Sequence, residues 1–286
     1  MRTFSTSIAA FSALFFLGGC NFFSKKKSGD SGVRIWNGKP APLYAPIASN
    51  SIVSIKIDND GFCSGVLVSK TRILTARHCF GKRQPGSTDQ FMIKADGNTE
   101  INTGAVAEIA VGKSVLTALS SEKRGMLKGS LRTHPTEDFA TFDLISEVSA
   151  PFDGAPMERE SEAAIGKGVA MEFFGFGPTQ VNGNLPSNFT SGSMLVDGFF
   201  QKFDVPGGGS INNLLYFSSA IFHQGLLPGD SGGPVFSYNE KDKVYKLMGI
   251  NSVTVNKPSG DGVLGSMVAL VCVDATQAWI LDTSSH

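Results

Sequence analysis

Ser51-Ile52-Val53-Ser54-Ile55-Lys56-Ile57 sets the structural class of this chain. Val53, Ile55 and Ile57 are apolar and Ser54 and Lys56 polar, the period-two pattern of a half-buried strand. Working outward, Val66-Leu67-Val68 and Ile73-Leu74 read as short apolar strands separated by the polar turn Ser69-Lys70-Thr71-Arg72. Phe139 to Ile145, Val169 to Phe174, Leu214 to Phe217 and Val244 to Val253 are further strand candidates. Thr276 to Leu281 reads as part of a short C-terminal helix, with Trp279 and Ile280 facing inward. Gly112 to Gly129 and Pro206 to Asn213 read as surface loops. Many short strands, few helices and no βαβ rhythm specify an all-β chain built as barrels or sandwiches.

Composition agrees. Thirty-three Gly and 13 Pro, spread along 286 residues, suit strands joined by turns. With 41% hydrophobic and 17% charged residues, the chain can build one large β domain or two lobes. Twenty-five basic residues balance 25 acidic ones, which offers no field for nucleic acid or a polyanionic substrate.

The first residues read as a targeting segment. Arg2 gives a positive start, and Ile8 to Leu17 is apolar but too short to span a bilayer comfortably. Leu17-Gly18-Gly19-Cys20 resembles the bacterial lipobox, in which the cysteine is lipidated and becomes the mature N-terminus. That resemblance implies a signal peptide over residues 1–19 and a protein anchored by acyl chains in the bacterial cell envelope. Residues 20–34, with Lys25-Lys26-Lys27 followed by Ser, Gly and Asp, read as a tether or propeptide that holds the body off the membrane. Export permits a disulfide. Cys63 and Cys79 close a short loop, a bridge that adds roughly 3 kcal/mol. Cys272 is then a buried, unreactive thiol, and no spacing suggests a metal site.

Three segments carry chemistry. Gly229-Asp230-Ser231-Gly232-Gly233-Pro234 places a serine between glycines, which permit a tight turn and expose backbone N–H groups to a developing oxyanion. In Leu74-Thr75-Ala76-Arg77-His78-Cys79 a strand runs into a histidine next to a cysteine. In Glu137-Asp138-Phe139-Ala140-Thr141-Phe142-Asp143-Leu144 an acid precedes an alternating strand and can set a carboxylate against an imidazole.

Together, and in this order, the three segments resemble the trypsin/chymotrypsin-like serine peptidases. The likeness runs from Ile35 to about Leu281 and includes Gly175-Phe176-Gly177, Gly249-Ile250-Asn251-Ser252 and Gln277-Ala278-Trp279-Ile280. It implies two packed antiparallel six-stranded β-barrels over residues 35–286, divided near residue 150, with a short C-terminal helix. It also implies the roles. Ser231 attacks the scissile carbonyl, His78 moves the proton, and Asp138, rather than Asp143, orients His78. The N–H groups of Gly229 and Ser231 form the oxyanion hole. No cofactor is implied, and the partners are protein or peptide substrates.

Some positions depart from the pattern. Gly225 stands where trypsins carry the pocket aspartate, so cleavage after Lys or Arg is not expected. With Leu226, Ser252, Val253 and Thr254 it should line a shallow pocket for small or medium apolar P1 residues. Arg34-Ile35-Trp36-Asn37-Gly38 resembles the family's activation site, where a freed amine, here that of Ile35, pairs with the aspartate before the nucleophile, here Asp230. An apolar pocket would not cut after Arg34, so a separate protease would activate this one and release it from its anchor. The rival readings are a catalytically silent homologue that binds a protein partner, and an esterase, whose Gly-x-Ser-x-Gly elbow needs an α/β pattern that is absent.

Overall fold

The computed structural model describes residues 39–40, 50–58, 61–81, 101–159, 163, 165–178, 180, 183–204, 210–220, 223–256 and 263–282. Cys20, Arg34, Ile35, the leader and the tether lie outside them.

Two antiparallel sheets make up the body. The first holds β2 (Ile52–Ile57), β3 (Gly61–Leu67), β4 (Arg72–Ala76), β5 (Ala107–Val111), β6 (Lys123–Gly125), β7 (Arg132–Thr133) and β8 (Phe139–Asp143). Their order is β6-β5-β2-β3-β4-β8-β7. This sheet curls into a half-barrel. Its seam is pinned by a bridge between Met126 and Leu144, with Leu127 N–H donating to Asp143 O and Ile145 N–H to Gly125 O.

The second sheet holds β1 (Lys39–Pro40), β9 (Ala170–Gly175), β10 (Thr190–Asp204), β11 (Ser210–Ser218), β12 (Pro234–Asn239), β13 (Val244–Asn256) and β14 (Val263–Leu270). The order β10-β11-β14-β13-β12-β9 closes on itself through β9–β10 pairing, giving a six-stranded barrel with β1 added on β10. The helix α1 (Asp274–Leu281) follows.

β2 is the strand its alternation foretold, paired to both β3 and β5. Its polar Ser54 is nevertheless fully buried, because its hydroxyl reaches Lys113 O at 2.7 Å and accepts Val115 N–H at 2.6 Å. Residues 112–129 are not simply a surface loop. They contain β6, and Ser114 and Val115 are buried. Likewise β11 begins at Ser210, inside the segment expected to be a loop.

Phenylalanine fills much of the interior. Phe80 and Phe142 meet edge to face at 5.8 Å in the first half, and Phe173 and Phe217 at 4.7 Å in the second. One core cluster extends from the first sheet across the junction, and a second fills the closed barrel around Met171, Phe173 and Phe217. Ile280 of α1 is fully buried, while Trp279 is only partly so and packs on His134 at 4.9 Å.

Arg72 ties α1 to the first sheet. Its guanidinium bonds both oxygens of Asp143, at 2.8 and 3.1 Å, and donates to Ile280 O and Asp282 O. Asp143 is thereby occupied far along β8 from His78.

Candidate active site

The site lies where the two sheets meet. β4 and β8 are antiparallel neighbours, with Ala76 opposite Phe139. His78 follows the end of β4 by two residues and Asp138 precedes β8 by one, so this register sets them face to face. A 3₁₀ turn over Arg77–Phe80 presents the imidazole. His78 Nδ1–H donates to Asp138 Oδ2 at 2.8 Å, and the His78 backbone N–H donates to Oδ1 at 3.0 Å. The second barrel adds Ser252, whose hydroxyl donates to Asp138 Oδ2 at 2.6 Å. Burial pushes the Asp138 carboxyl up, but His78 and these hydrogen bonds outweigh it and hold the group below its ordinary range.

The loop that presents Asp138 is itself capped. His134 Nδ1 accepts the Glu137 N–H at 3.1 Å, and burial followed by the charge of Arg77 lowers this imidazole's pKa. Neutral His134 retains the lone pair this contact needs. Glu137 turns the other way, accepting Asn213 Nδ2–H at 2.9 Å from β11, while its Oε2 is buried without a partner among the described residues.

Cys63 and Cys79 form the expected disulfide, S–S 2.06 Å. It joins β3 to the turn that carries His78. The Ser64 N–H donates to Ser231 O at 2.8 Å, and Cys79 Sγ lies 4.0 Å from the same oxygen. Ser231 is thus seated against the middle of β3 and the turn that carries His78.

The turn around Ser231 has an uneven distribution of hydrogen bonds. Leu227 N–H is taken by Asp230 Oδ2, Asp230 N–H by Leu227 O, Gly232 N–H by Asn251 O and Gly233 N–H by Asp230 O. Pro228 has no N–H. Of the donors from Leu227 to Gly233, only Gly229 and Ser231 have no acceptor among the described residues. Gly229 holds φ +101°, a conformation that side chains rarely adopt, and a Cβ there would stand 3.0 Å from Gly177 Cα. Unpaired N–H groups flanking a serine can take up an anionic oxygen.

Asp230 is completely buried. Its Oδ1 accepts Gly177 N–H at 2.8 Å and its Oδ2 accepts Leu227 N–H at 3.0 Å, and no cation meets it among the described residues. Burial pushes its pKa up to about 7 against those two bonds. The carboxylate fits only because Gly175 and Gly177 lack side chains: a Cβ at Gly175 would fall 2.0 Å from Oδ1.

Of the residues expected around the pocket, Leu226 packs with the closed barrel's core cluster and Val253 with the cluster at the junction. The Thr254 hydroxyl donates to Leu226 O at 3.2 Å. Beside Gly225 stands Val263, whose Cγ1 would lie 2.6 Å from a Cβ added there. Ser64, Asn251 and Val263 are site residues that the sequence did not disclose.

A two-sheet body with a buried Asp–His pair and a serine turn whose Gly229 and Ser231 N–H groups meet no acceptor among the described residues defines the class of chymotrypsin-fold proteins. The trypsin family model matches residues 35–280, and the chain belongs to that family. Among solved structures it is similar to a double mutant of human heparin binding protein (CAP37), with 17% identity and a TM-score of 0.59 over 86% of this chain and 95% of that one. No curated protein matches it.

Proposed function

We propose that this protein is an exported serine endopeptidase that hydrolyses peptide bonds through an acyl-enzyme on Ser231. The observation that carries this reading is the pair of unpaired N–H groups at Gly229 and Ser231, on a turn held beside the bonded His78–Asp138 pair. In this mechanism His78 removes the Ser231 proton and returns it to the leaving amine. Asp138 fixes the tautomer and stabilises the imidazolium. The two N–H groups hold the oxyanion that forms in between.

The same reading makes Cys20 a lipid anchor in the bacterial envelope and Arg34–Ile35 the activation bond. An isolated buried carboxylate is costly. Asp230, held by two N–H groups and met by no cation among the described residues, is suited to receive the freed amine of Ile35. Thr254 and Val263 favour small apolar P1 residues. Protein or peptide substrates, a separate activating protease and a membrane are the partners this implies.

A fluorophosphonate probe tests the reading. The purified chain, cleaved after Arg34, is expected to be labelled stoichiometrically, and its Ser231→Ala variant not at all. A cleaved chain that takes no label would overturn the endopeptidase reading and select the catalytically silent, partner-binding homologue. Intact mass of the envelope-derived protein reports acylation at Cys20 and cleavage after Arg34. A protein found unlipidated in the envelope contradicts the anchor.

A further inference from the structure

Two buried polar side chains, one from each sheet, grip the turn that carries Ser231. From β3, the Ser64 hydroxyl accepts Phe176 N–H at 2.9 Å and donates to Gly229 O at 2.7 Å. Because the backbone N–H occupies it as an acceptor, its own proton is directed to Gly229 O. From β13, Asn251 Nδ2 donates to Asp230 O and to Phe174 O, both at 3.0 Å. Both neighbours are carbonyl oxygens, which fixes the nitrogen end of the carboxamide. Its Oδ1 is buried without a partner among the described residues. A buried acceptor left so is costly and an apolar residue would avoid that cost, so the donors are what this position supplies.

We propose that Ser64 and Asn251 are positioning residues that aim the two oxyanion donors, an inference that rests on the endopeptidase reading. In a trans peptide the C=O and N–H point in opposite directions. Asp230 O is held by Asn251 Nδ2 and by Gly233 N–H at 2.9 Å, so the Ser231 N–H of that same peptide is turned to the opposite side, away from these donors. Ser64 acts one peptide earlier. Gly229 O lies in the Gly229–Asp230 peptide, whose N–H donates to Leu227 O. The Ser64 hydroxyl therefore fixes that plane, and with it the rotation about Gly229, which no side chain restricts. The Gly229 N–H, on the preceding peptide, is left without an acceptor among the described residues. The Ser64 backbone N–H holds the next oxygen, Ser231 O. Three successive carbonyls, of Gly229, Asp230 and Ser231, are thus held, and the Gly229 and Ser231 N–H groups are left without an acceptor among the described residues.

The test measures steady-state kinetics on the cleaved, full-length body, with rates normalised to sites titrated by the fluorophosphonate. Ser64→Ala and Asn251→Val are each expected to lower kcat by roughly 10- to 100-fold, short of the loss from deleting a donor outright. KM should stay within about threefold, and affinity for a peptide aldehyde, which forms an oxyanion, should fall with kcat. Ser64→Thr, which keeps the hydroxyl, should restore most of the rate. Ser64→Gly offers a second route to the same loss should Ser64→Ala fail to fold. Thr75→Val is the structural control: it removes the 2.7 Å bond from Thr75 Oγ1 to Ser64 O without touching Gly229 or Asp230. It should lower the thermal midpoint and leave kcat per site unchanged. Unchanged kcat per site in Ser64→Ala and Asn251→Val, with lower thermal midpoints alone, overturns the inference while leaving the endopeptidase reading intact. A wild-type chain that takes no label overturns both.

Discussion

Ser252 and His78 bind the same oxygen of Asp138: the hydroxyl reaches Oδ2 at 2.6 Å and the imidazole at 2.8 Å. The carboxylate is thereby shared between the two halves of the molecule. Its folded-state pKa is depressed, so it stabilises the fold above its unfolded pKa, and that contribution is lost as pH falls through the folded value. Ser252→Ala removes one of the bonds responsible. Acid unfolding followed by fluorescence should shift its midpoint to higher pH, and kcat should fall several-fold; an unchanged midpoint would count against the shared-oxygen arrangement.

The two acids flanking β8 should separate cleanly in mutation. Asp138→Asn leaves the ring in the wrong tautomer and is expected to reduce kcat by about 10⁴-fold with little effect on KM. Asp143→Asn breaks the buried pair with Arg72, for which losses of about 3–5 kcal/mol are typical, and should leave kcat per folded molecule alone. Urea unfolding and titrated kinetics on both variants check this. A large kcat loss confined to Asp143→Asn would reverse the assignment.

Buried carboxyls give the uncleaved chain a pH signature. Burial raises Asp230 and Glu137 to about 7, above the unfolded values. Folded protein therefore binds the extra protons, and stability declines as pH rises from about 4 to about 7, then levels. Asp230→Asn should flatten part of this slope and Glu137→Gln another part. Chemical denaturation at several pH values measures it. If the Ile35 amine pairs with Asp230 after cleavage, the Asp230 share should disappear in the cleaved form.

Specificity should resist conversion. Gly225→Asp alone is not expected to create a preference for Arg or Lys, because Val263 Cγ1 would sit 2.6 Å from the new Cβ. If Thr254 and Val263 narrow the pocket as proposed, Thr254→Gly together with Val263→Ala should raise cleavage after Phe or Leu relative to Ala by roughly 10-fold or more, within what one or two methylenes discriminate. Peptide-library profiling reads both outcomes, and a basic optimum in Gly225→Asp would show that the pocket is not as described.

Removing the Cys63–Cys79 bridge by reduction or by a paired Cys→Ser change should cost about 3 kcal/mol. It should also reduce turnover, since the bridge locks the turn that carries His78. Thermal denaturation with and without reductant, paired with kinetics, distinguishes the two effects.

What could be read from the residues was set by how local each signal is. The alternation in Ile52–Ile57 and the glycines around Ser231 act within a few positions, so they announce a strand and a tight turn without reference to the rest of the chain. Asp138 was distinguishable from Asp143 only through likeness to a family, and Arg72, which occupies Asp143, lies on another strand. Ser64 sits in an apolar-looking strand and shows no periodicity that marks it. Its partners, Phe176 and Gly229, are 112 and 165 residues away. Leu226 and Val253 were expected at the pocket because they neighbour the right positions, and their packing in two different core clusters depends on contacts far along the chain.

The two-residue strand Lys39–Pro40 sets a limit on an encounter. Pro40 is opposite Thr190, Thr190 is opposite Gly175, and Gly175 abuts Asp230. With neighbouring strands about 4.8 Å apart, Pro40 lies roughly 10 Å from Gly175. The five residues back to Ile35 can span up to about 17 Å. If cleavage frees a terminus at Ile35, that terminus would search a volume only a few strands wide, at an effective concentration on the order of millimolar. Docking on Asp230 would then be unimolecular, and its extent would not change when the cleaved protein is diluted.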